Sequence, residues 1–342
     1  MVIILVLGML IVALTLSTTF SLDTNSLDQF SREARNKEAN YQVARSAFEL
    51  GLTLLRADDS DVDGPEDIWA SGPQELTWEG RLLRIEVEDE ERRLPINALV
   101  PASLPEGTVF EPNDEQDALA RTLVRFLDDQ GLSGRSATSA LIDWMDSDTV
   151  PTVGGSEVAR DTSVRVKNAR LDSLTELSQI RDWTQPSGPP PLSLFGGLSN
   201  STGSGPEVEA GSEPEFADQN GPISNANASE WSDWFSLYSD GRININTAPA
   251  EILLALDAEM TDALVQEIIT QRQEGSLSGE DDLSQIAAIN EDLLFRLGRL
   301  IRYNSQYFRI RIRVSSNGGQ INVEAVVLRD EDNSRVVSWE VR

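Results

Sequence analysis

Cysteine and histidine are both absent from the 342-residue chain. Their absence excludes disulfides, thiolate zinc sites, and the serine–histidine and cysteine–histidine pairs of nucleophilic catalysis. Positive charge is also scarce, because 28 Lys and Arg residues face 57 Asp and Glu residues and leave a formal net charge of −29. Such a chain repels nucleic-acid phosphates and anionic lipids, whereas it attracts divalent cations and basic protein surfaces.

The first 22 residues carry no charged side chain. A run of about 20 apolar residues crosses a bilayer as a helix, so residues 1–22 are predicted to be a transmembrane helix. A cleaved secretory signal is the alternative, but the run is longer than the apolar region of such signals. Residues 23–56 are predicted to continue as an amphipathic helix. Its apolar stripe consists of Tyr41, Ala44, Phe48, Leu52 and Leu55.

Alternating apolar and polar residues in two separate regions predict a small antiparallel sheet. Leu83, Ile85 and Val87 alternate with polar residues after a turn-like Glu79-Gly80. From residue 306 to the C-terminus the same alternation predicts three more strands. Residues 57–112 and 303–342 are therefore predicted to form the two parts of one sheet domain.

The region between these parts, residues 113–302, has helical periodicity. Asn246-Thr247-Ala248-Pro249 is typical of a helix start, and the spacing of Trp231, Trp234 and Phe235 predicts a helix that packs in a core. Residues 184–229 are rich in Pro, Gly and Ser and are predicted to be a mobile loop. The expected fold class is α+β, with a long N-terminal helix on a small antiparallel sheet and a large inserted all-α domain.

Two groups of acids are candidate calcium sites. Asp59, Asp61 and Asp63 precede Gly64 in the D-x-D-x-D-G pattern of a calcium loop. The twelfth position of that loop is Ala70 instead of the closing acid, so a solvated acidic loop is the alternative. The second group is Asp143, Asp146, Asp148 and Glu157, for which capping and solvation at a helix end is the alternative.

Nearly the whole chain resembles a known family, the minor pseudopilin K (GspK) of bacterial type II secretion systems. The resemblance consists of four motifs that occur in the same order as in the family. The first is the strand at 83–90 that leads into residues 93–99 and resembles the acidic turn and INxL segment of the family. The other three resemble its DWxDxD…GxE, KN…sLxEL and INxNTAP segments. They lie at 141–157, 167–177 and 243–253.

The resemblance implies a structural protein and not an enzyme. It implies a single-pass protein of the bacterial inner membrane, with most of the chain in the periplasm, that forms the tip of the pseudopilus with the I- and J-type minor pseudopilins. It also implies calcium in the α domain, within the group that contains Asp143. Most pseudopilins resemble one another in having a Glu near the start of the helix; here the first acid is Asp23, as expected for the K-type subunit.

Three other functions stay open from the residues alone. A membrane-anchored periplasmic adaptor would use the α domain to bind substrate or peptidoglycan. The segment 250–273 resembles a helix-hairpin-helix or SAM-like unit, which often binds DNA, but its turn at 256–260 has two acids and no Gly to offer a phosphate. A carboxylate pair would suit a peptidoglycan hydrolase, but among 57 acids the presence of pairs does not discriminate.

Overall fold

The computed structural model describes residues 31–58, 61–101, 109–161, 164–183, 230–330 and 334–342. The predicted transmembrane segment 1–22 and the predicted loop 184–229 lie outside these ranges. Within them, no helix combines the length and the apolar character that crossing a membrane requires.

The secondary structure follows the expected order of helix, strands, helical region and strands. In chain order the elements are α1 (31–56), β1 (Gln74–Trp78), β2 (Arg81–Asp89), β3 (Leu94–Pro95), α2 (Asp114–Asp129), α3 (Gly134–Met145), β4 (Phe235–Ser236), β5 (Ile243–Asn244), α4 (Ala250–Leu256), α5 (Asp262–Glu274), α6 (Glu280–Ser284), α7 (Glu291–Leu297), β6 (Ile301–Arg302), β7 (Tyr307–Ser316), β8 (Gly319–Arg329) and β9 (Ser334–Val341).

The main sheet has five antiparallel strands in the order β1-β2-β7-β8-β9. Strands β2 and β7 are neighbours in the sheet but distant in sequence. Ile85 pairs with Ile312, and Asp89 pairs with Phe308 where β2 ends and β7 begins. Residues 90–306 are therefore inserted between two adjacent strands. The first and last residues of this insert lie at the same end of the sheet.

Helix α1 covers one face of the sheet with its apolar stripe, as the sequence predicts. Ala44, Phe48, Leu52 and Leu55 are buried in one core with the inward residues of β2, β7 and β8. The helix lies close to the sheet at Gly51, where an added Cβ would lie 3.0 Å from Ile310 Cγ2. A larger residue at that position would push the helix away from the sheet.

Asn40 fixes α1 to one end of the sheet. Its buried side chain donates to Ser316 Oγ (3.1 Å) and Gly319 O (3.2 Å), both in the β7–β8 turn region. Its Oδ1 accepts from Arg81 Nε (2.9 Å) at the start of β2. The first half of α1 thus lies at the end of the sheet opposite to the insert.

The insert has its own apolar core, built from α2 to α7 and the connecting segments. The sequence predicts an all-α insert, but the structure also has strands there. Strand β3 pairs with β4, and β5 pairs with β6, in short parallel ladders. Trp231, Trp234 and Phe235 are buried as predicted, but they form a 3-10 turn followed by β4 instead of a helix. Pairing of β4 with β3 satisfies buried backbone groups there, which overrides the helical spacing.

Candidate metal centre

The second group of acids gathers where α3 ends. Asp143 lies in the last turn of α3 and Asp146 is its C-cap, with its N–H donating to Ile142 O (2.8 Å). The following loop returns to the helix end and brings Glu157 to it. Carboxylate oxygens of Asp146, Asp148 and Glu157 lie within 4.8 Å of one another.

Asp143 shapes the loop beside these three acids. Its Oδ1 accepts a hydrogen bond from Thr152 N (2.8 Å). A Cβ added at Gly155 would lie 2.1 Å from Asp143 Oδ2, so only glycine allows the loop to pass this close. The structure therefore brings all four predicted residues to one place, with Asp143 adjacent to the triad and not within it.

Asp148 is held by backbone amides from two different segments. Its Oδ1 accepts from Val150 N (2.7 Å), and its Oδ2 accepts from Phe110 N (2.7 Å). Asn168, which lies in the left-handed region at φ 52°, also holds this segment through two hydrogen bonds. Its Nδ2 donates to Asp148 O (2.8 Å), and its N–H donates to Trp144 O (2.9 Å). The Lys167-Asn168 motif has no role that its sequence indicates, and in the structure it supports the acid cluster.

Three carboxylate oxygens of this cluster are buried and lack a hydrogen-bond donor: Asp143 Oδ2, Asp146 Oδ1 and Glu157 Oε1. Among the described residues, no Lys or Arg lies within ion-pair distance of any of the four acids. The C-terminal end of α3 adds its own partial negative charge at this point. Burial, with neighbouring acids, raises the pKa of Asp146 to about 7 and that of Glu157 to about 7. This all-oxygen, strongly negative group fits a hard divalent cation.

The first group of acids is arranged differently from the calcium-loop pattern. Asp59 lies outside the described residues, and Asp61 is exposed. Asp63 is fully buried, and its Oδ2 accepts from Ser305 N (2.6 Å) and from the Arg329 guanidinium. Among the described acids, those grouped with Asp63 are Asp58 and Asp67, and not Asp61.

The INxNTAP segment forms a polar junction between the insert and the sheet, a role that its helix-start pattern does not reveal. Asn244 Nδ2 donates to Asp63 O (3.1 Å), Asp89 Oδ2 (3.1 Å) and Ser305 Oγ (2.9 Å). Thr247 Oγ1 donates to the same Asp89 oxygen (2.5 Å). The end of β2, the loop after α1 and the start of β7 are thus joined through one buried asparagine.

A buried ion-pair network continues this junction across the sheet. Glu88 accepts from Arg93 (2.5 Å), Arg92 (2.5 Å) and Arg311 (3.0 Å), and these pairs hold the pKa of its carboxyl well below its usual range although the side chain is buried. In the sequence, four consecutive acids at 88–91 are followed by Arg92 and Arg93. This run predicts a charged turn, and only the fold shows that the turn is buried.

Comparison with known proteins agrees with these features. Two sequence models of the family described as type II secretion system (T2SS), protein K match residues 92–187 and 243–294, which contain the acid cluster and the Asn244 segment. The structure is similar to a chain of the GspK-GspI-GspJ complex from the type 2 secretion system of enterotoxigenic Escherichia coli. The TM-score is 0.65 at 16% identity, over 91% of this chain and 99% of that chain. No curated protein gives a significant sequence match.

The fold defines a mixed helix-and-sheet protein with an antiparallel sheet, and the matched family is a structural component of a secretion system and not a known enzyme family. The resemblance recognised in the sequence is confirmed. The two family matches, together with the shared fold, support a minor pseudopilin of the type II secretion system protein K family.

Proposed function

We propose that this protein forms the tip of a periplasmic pseudopilus and helps to start its assembly. Residues 1–22 would anchor it in the inner membrane as a transmembrane helix that continues into α1. The five-stranded sheet with α1 would be its pilin-like part, and residues 113–302 its inserted α domain, with a helix-hairpin-helix or SAM-like unit at α4 and α5. Most of the chain would then lie in the periplasm.

The position of the insert carries this proposal. Asn40 binds α1 to the end of the sheet formed by Arg81 and Ser316. The insert leaves the opposite end, next to Asp89 and Phe308. A chain that enters the subunit through α1 therefore has its bulk at the far end. In a fibre that grows by addition from the membrane side, this bulk would block a subunit above it.

The partners would be other minor pseudopilins of the I and J types. The solved structure with the same fold belongs to a complex of GspK with GspI and GspJ. Helix α1 has a second face that does not contact its own sheet, and Leu50 on that face is 43% exposed. An exposed leucine on an otherwise polar helix face suits a contact with a neighbouring subunit.

We propose that calcium binds at Asp146, Asp148 and Glu157, with Asp143 supporting the loop. The unpartnered buried oxygens and the absence of a neighbouring cation among the described residues support this choice. Bound calcium would neutralise the cluster and tie the loop at 147–157 to the end of α3. Calcium would therefore stabilise the insert, and no catalytic role is assigned to it.

We propose neither nucleic-acid binding nor enzymatic activity for this protein. The turn between α4 and α5 presents Asp257 and Glu259, and Arg296 forms ion pairs with both (2.8 Å and 2.6 Å). This acidic turn has no glycine amide for a phosphate and would repel one.

Labelling of assembled fibres tests the tip position. Fibres assembled from the major subunit together with the minor pseudopilins are decorated with gold-coupled antibodies against the insert of this chain. Label at one end of each fibre is expected. Label along the shaft would contradict the tip role even though the family and the fold would stand, and antibodies against the major subunit serve as the control that the shaft is accessible.

A further inference from the structure

Three acids come together just after α1, where the helix, the sheet and the insert meet. Asp58 follows the end of α1, whereas Asp63 and Asp67 lie in the loop that leads to β1. A carboxylate oxygen of each lies within 4.8 Å of the other two. We call these three residues the junction triad.

Each carboxylate of the junction triad is held in place through its Oδ2 atom. Trp69 Nε1 donates to Asp58 (3.0 Å), Ser305 N donates to Asp63 (2.6 Å), and Gly64 N donates to Asp67 (2.7 Å). The Oδ1 atom of the fully buried Asp63 has no donor among the described residues. Leaving a buried carboxylate oxygen without a partner is costly, so this oxygen requires either a bound cation or a proton shared with the neighbouring Asp58 carboxyl.

The protein's own positive charge does not balance the triad. Arg329 contacts both Asp58 (Nη1 to Oδ2, 3.4 Å) and Asp63. Among the described residues, Arg329 is the one basic side chain within ion-pair distance of the triad. Three carboxylates are therefore balanced by a single guanidinium.

We propose that the junction triad binds a divalent cation, Ca²⁺, beside Arg329, with Asp58, Asp63 and Asp67 as protein ligands. The donor set contains only oxygen, which Ca²⁺ prefers, and it offers no nitrogen or sulfur for zinc or copper. This site lies apart from the acid cluster at the end of α3. It would tie α1 to β8 through Arg329 and to the start of β7 through Ser305, and so fix the insert relative to the sheet.

The ligands differ from those of the D-x-D-x-D-G pattern, which gives a direct test. The pattern requires Asp61, which is exposed, whereas the junction triad requires Asp67. Asp67→Asn and Asp61→Asn are matched substitutions in the same loop. They differ in whether they remove a member of the triad.

The experiment uses the full chain in detergent, because its first 22 residues are uncharged and rich in Val, Ile and Leu. Asp146→Asn with Glu157→Gln removes the proposed calcium site at the end of α3. Metal binding at the junction triad is then measured without a contribution from that site. The probe is Tb³⁺, whose luminescence is excited through a nearby tryptophan, and Trp69 contacts Asp58 directly. Addition of Ca²⁺ then displaces the Tb³⁺ and gives the calcium affinity.

We expect the double variant to keep one Tb³⁺ site that Ca²⁺ displaces. Adding Asp67→Asn should weaken that site about tenfold or more, as loss of a charged ligand does, whereas adding Asp61→Asn should leave it unchanged. Asp58→Asn provides a second test should Asp67→Asn disturb folding, which circular dichroism reports. Absence of a site in the double variant would overturn the proposal. Equal weakening by Asp61→Asn would also overturn it and assign the metal to the linear loop.

Discussion

Glu90 accepts two hydrogen bonds from the Arg309 guanidinium, at 2.7 Å from Nε and 2.6 Å from Nη2, and both side chains are buried. Glu90 lies in the first turn of the insert, and Arg309 lies in β7. The pair therefore fastens the insert to the sheet at the point where the chain leaves it. Bidentate geometry of this kind also fixes the direction of the turn.

Replacing Arg309 by methionine should strongly destabilise the protein. The change leaves Glu90 buried with Arg93 (3.1 Å) as its one ionic partner among the described residues, and breaking a buried pair typically costs about 3–5 kcal/mol. Urea unfolding followed by tryptophan fluorescence measures the loss. Arg121→Met is the matched control, because Arg121 pairs with Asp117 on the surface and solvent screening limits its effect to less than about 1 kcal/mol. Equal losses in the two variants would show that the buried pair has no special role.

Asn244→Ala should lower the free energy of unfolding by about 2–4 kcal/mol, because three buried acceptors lose their shared donor. The same urea experiment measures this change. Asn317→Ala replaces an exposed asparagine in the β7–β8 turn and should alter stability by less than about 0.5 kcal/mol. A near-neutral Asn244→Ala would mean that the INxNTAP segment matters for the helix start alone.

Local patterns predicted those parts of the fold that depend on local periodicity. The stripe from Ala44 to Leu55 and the alternation in β7 and β8 each reflect one buried face, so period and burial agree. The prediction of a helix at Trp231 is wrong because β4 pairs with β3, which is far away in sequence. No local period records such a pairing.

The candidate sites show the same limit. Asp143, Asp146, Asp148 and Glu157 are close in sequence, and a single loop brings them together. The junction triad instead depends on Trp69, Ser305 and Arg329, which come from two different loops and from β8. The D-x-D-x-D-G pattern identified the loop, but it could not show which acids the fold turns inward.

Calcium should raise the melting temperature, and a chelator should reverse the rise. Saturation of one site at one hundred times its dissociation constant adds about 2.7 kcal/mol to the free energy of unfolding. Differential scanning calorimetry of the full chain in detergent, with calcium and with chelator, measures the shift. Asp146→Asn with Glu157→Gln should remove the part of the shift that comes from the site at the end of α3 and leave the part that comes from the junction triad. An unchanged midpoint in the unsubstituted chain would contradict calcium binding at the end of α3.

Leu50→Glu should weaken the complex with the I- and J-type subunits about tenfold or more, because a charge would be buried in an apolar contact. Leu50 does not pack in the core of its own subunit, so the fold should be unaffected. Phe295→Glu is the control, since Phe295 is 67% exposed on α7 in the insert, away from α1. Size-exclusion chromatography and titration calorimetry with the purified partners give the affinities. A stronger effect of Phe295→Glu would place the contact on the insert instead.

The buried Glu91 should make stability depend on pH between about 4.5 and 7. Burial raises the pKa of Glu91 to about 7 from its ordinary 4.5, even though Arg302 opposes the shift. In that window the folded protein holds a proton that the unfolded chain has released. The free energy of unfolding therefore falls as pH rises, by up to roughly 3 kcal/mol across the window. Below pH 4.5 the contribution is fully present, and above pH 7 it is lost.

Glu91→Gln should flatten this part of the profile, because the amide stays neutral while it can still accept from Gln306 N, which lies 2.6 Å from Glu91 Oε2. Arg302 keeps Asp240 as an ionic partner at 3.0 Å, so the substitution leaves no isolated buried charge. Urea midpoints are measured every half pH unit with and without Glu91→Gln. Both chains also carry Asp146→Asn and Glu157→Gln, which removes the titration of the acid cluster from the comparison. Since every other group is common to both chains, the difference between the two slopes reports Glu91, and parallel profiles would show that it stays ionised in the folded protein throughout the window.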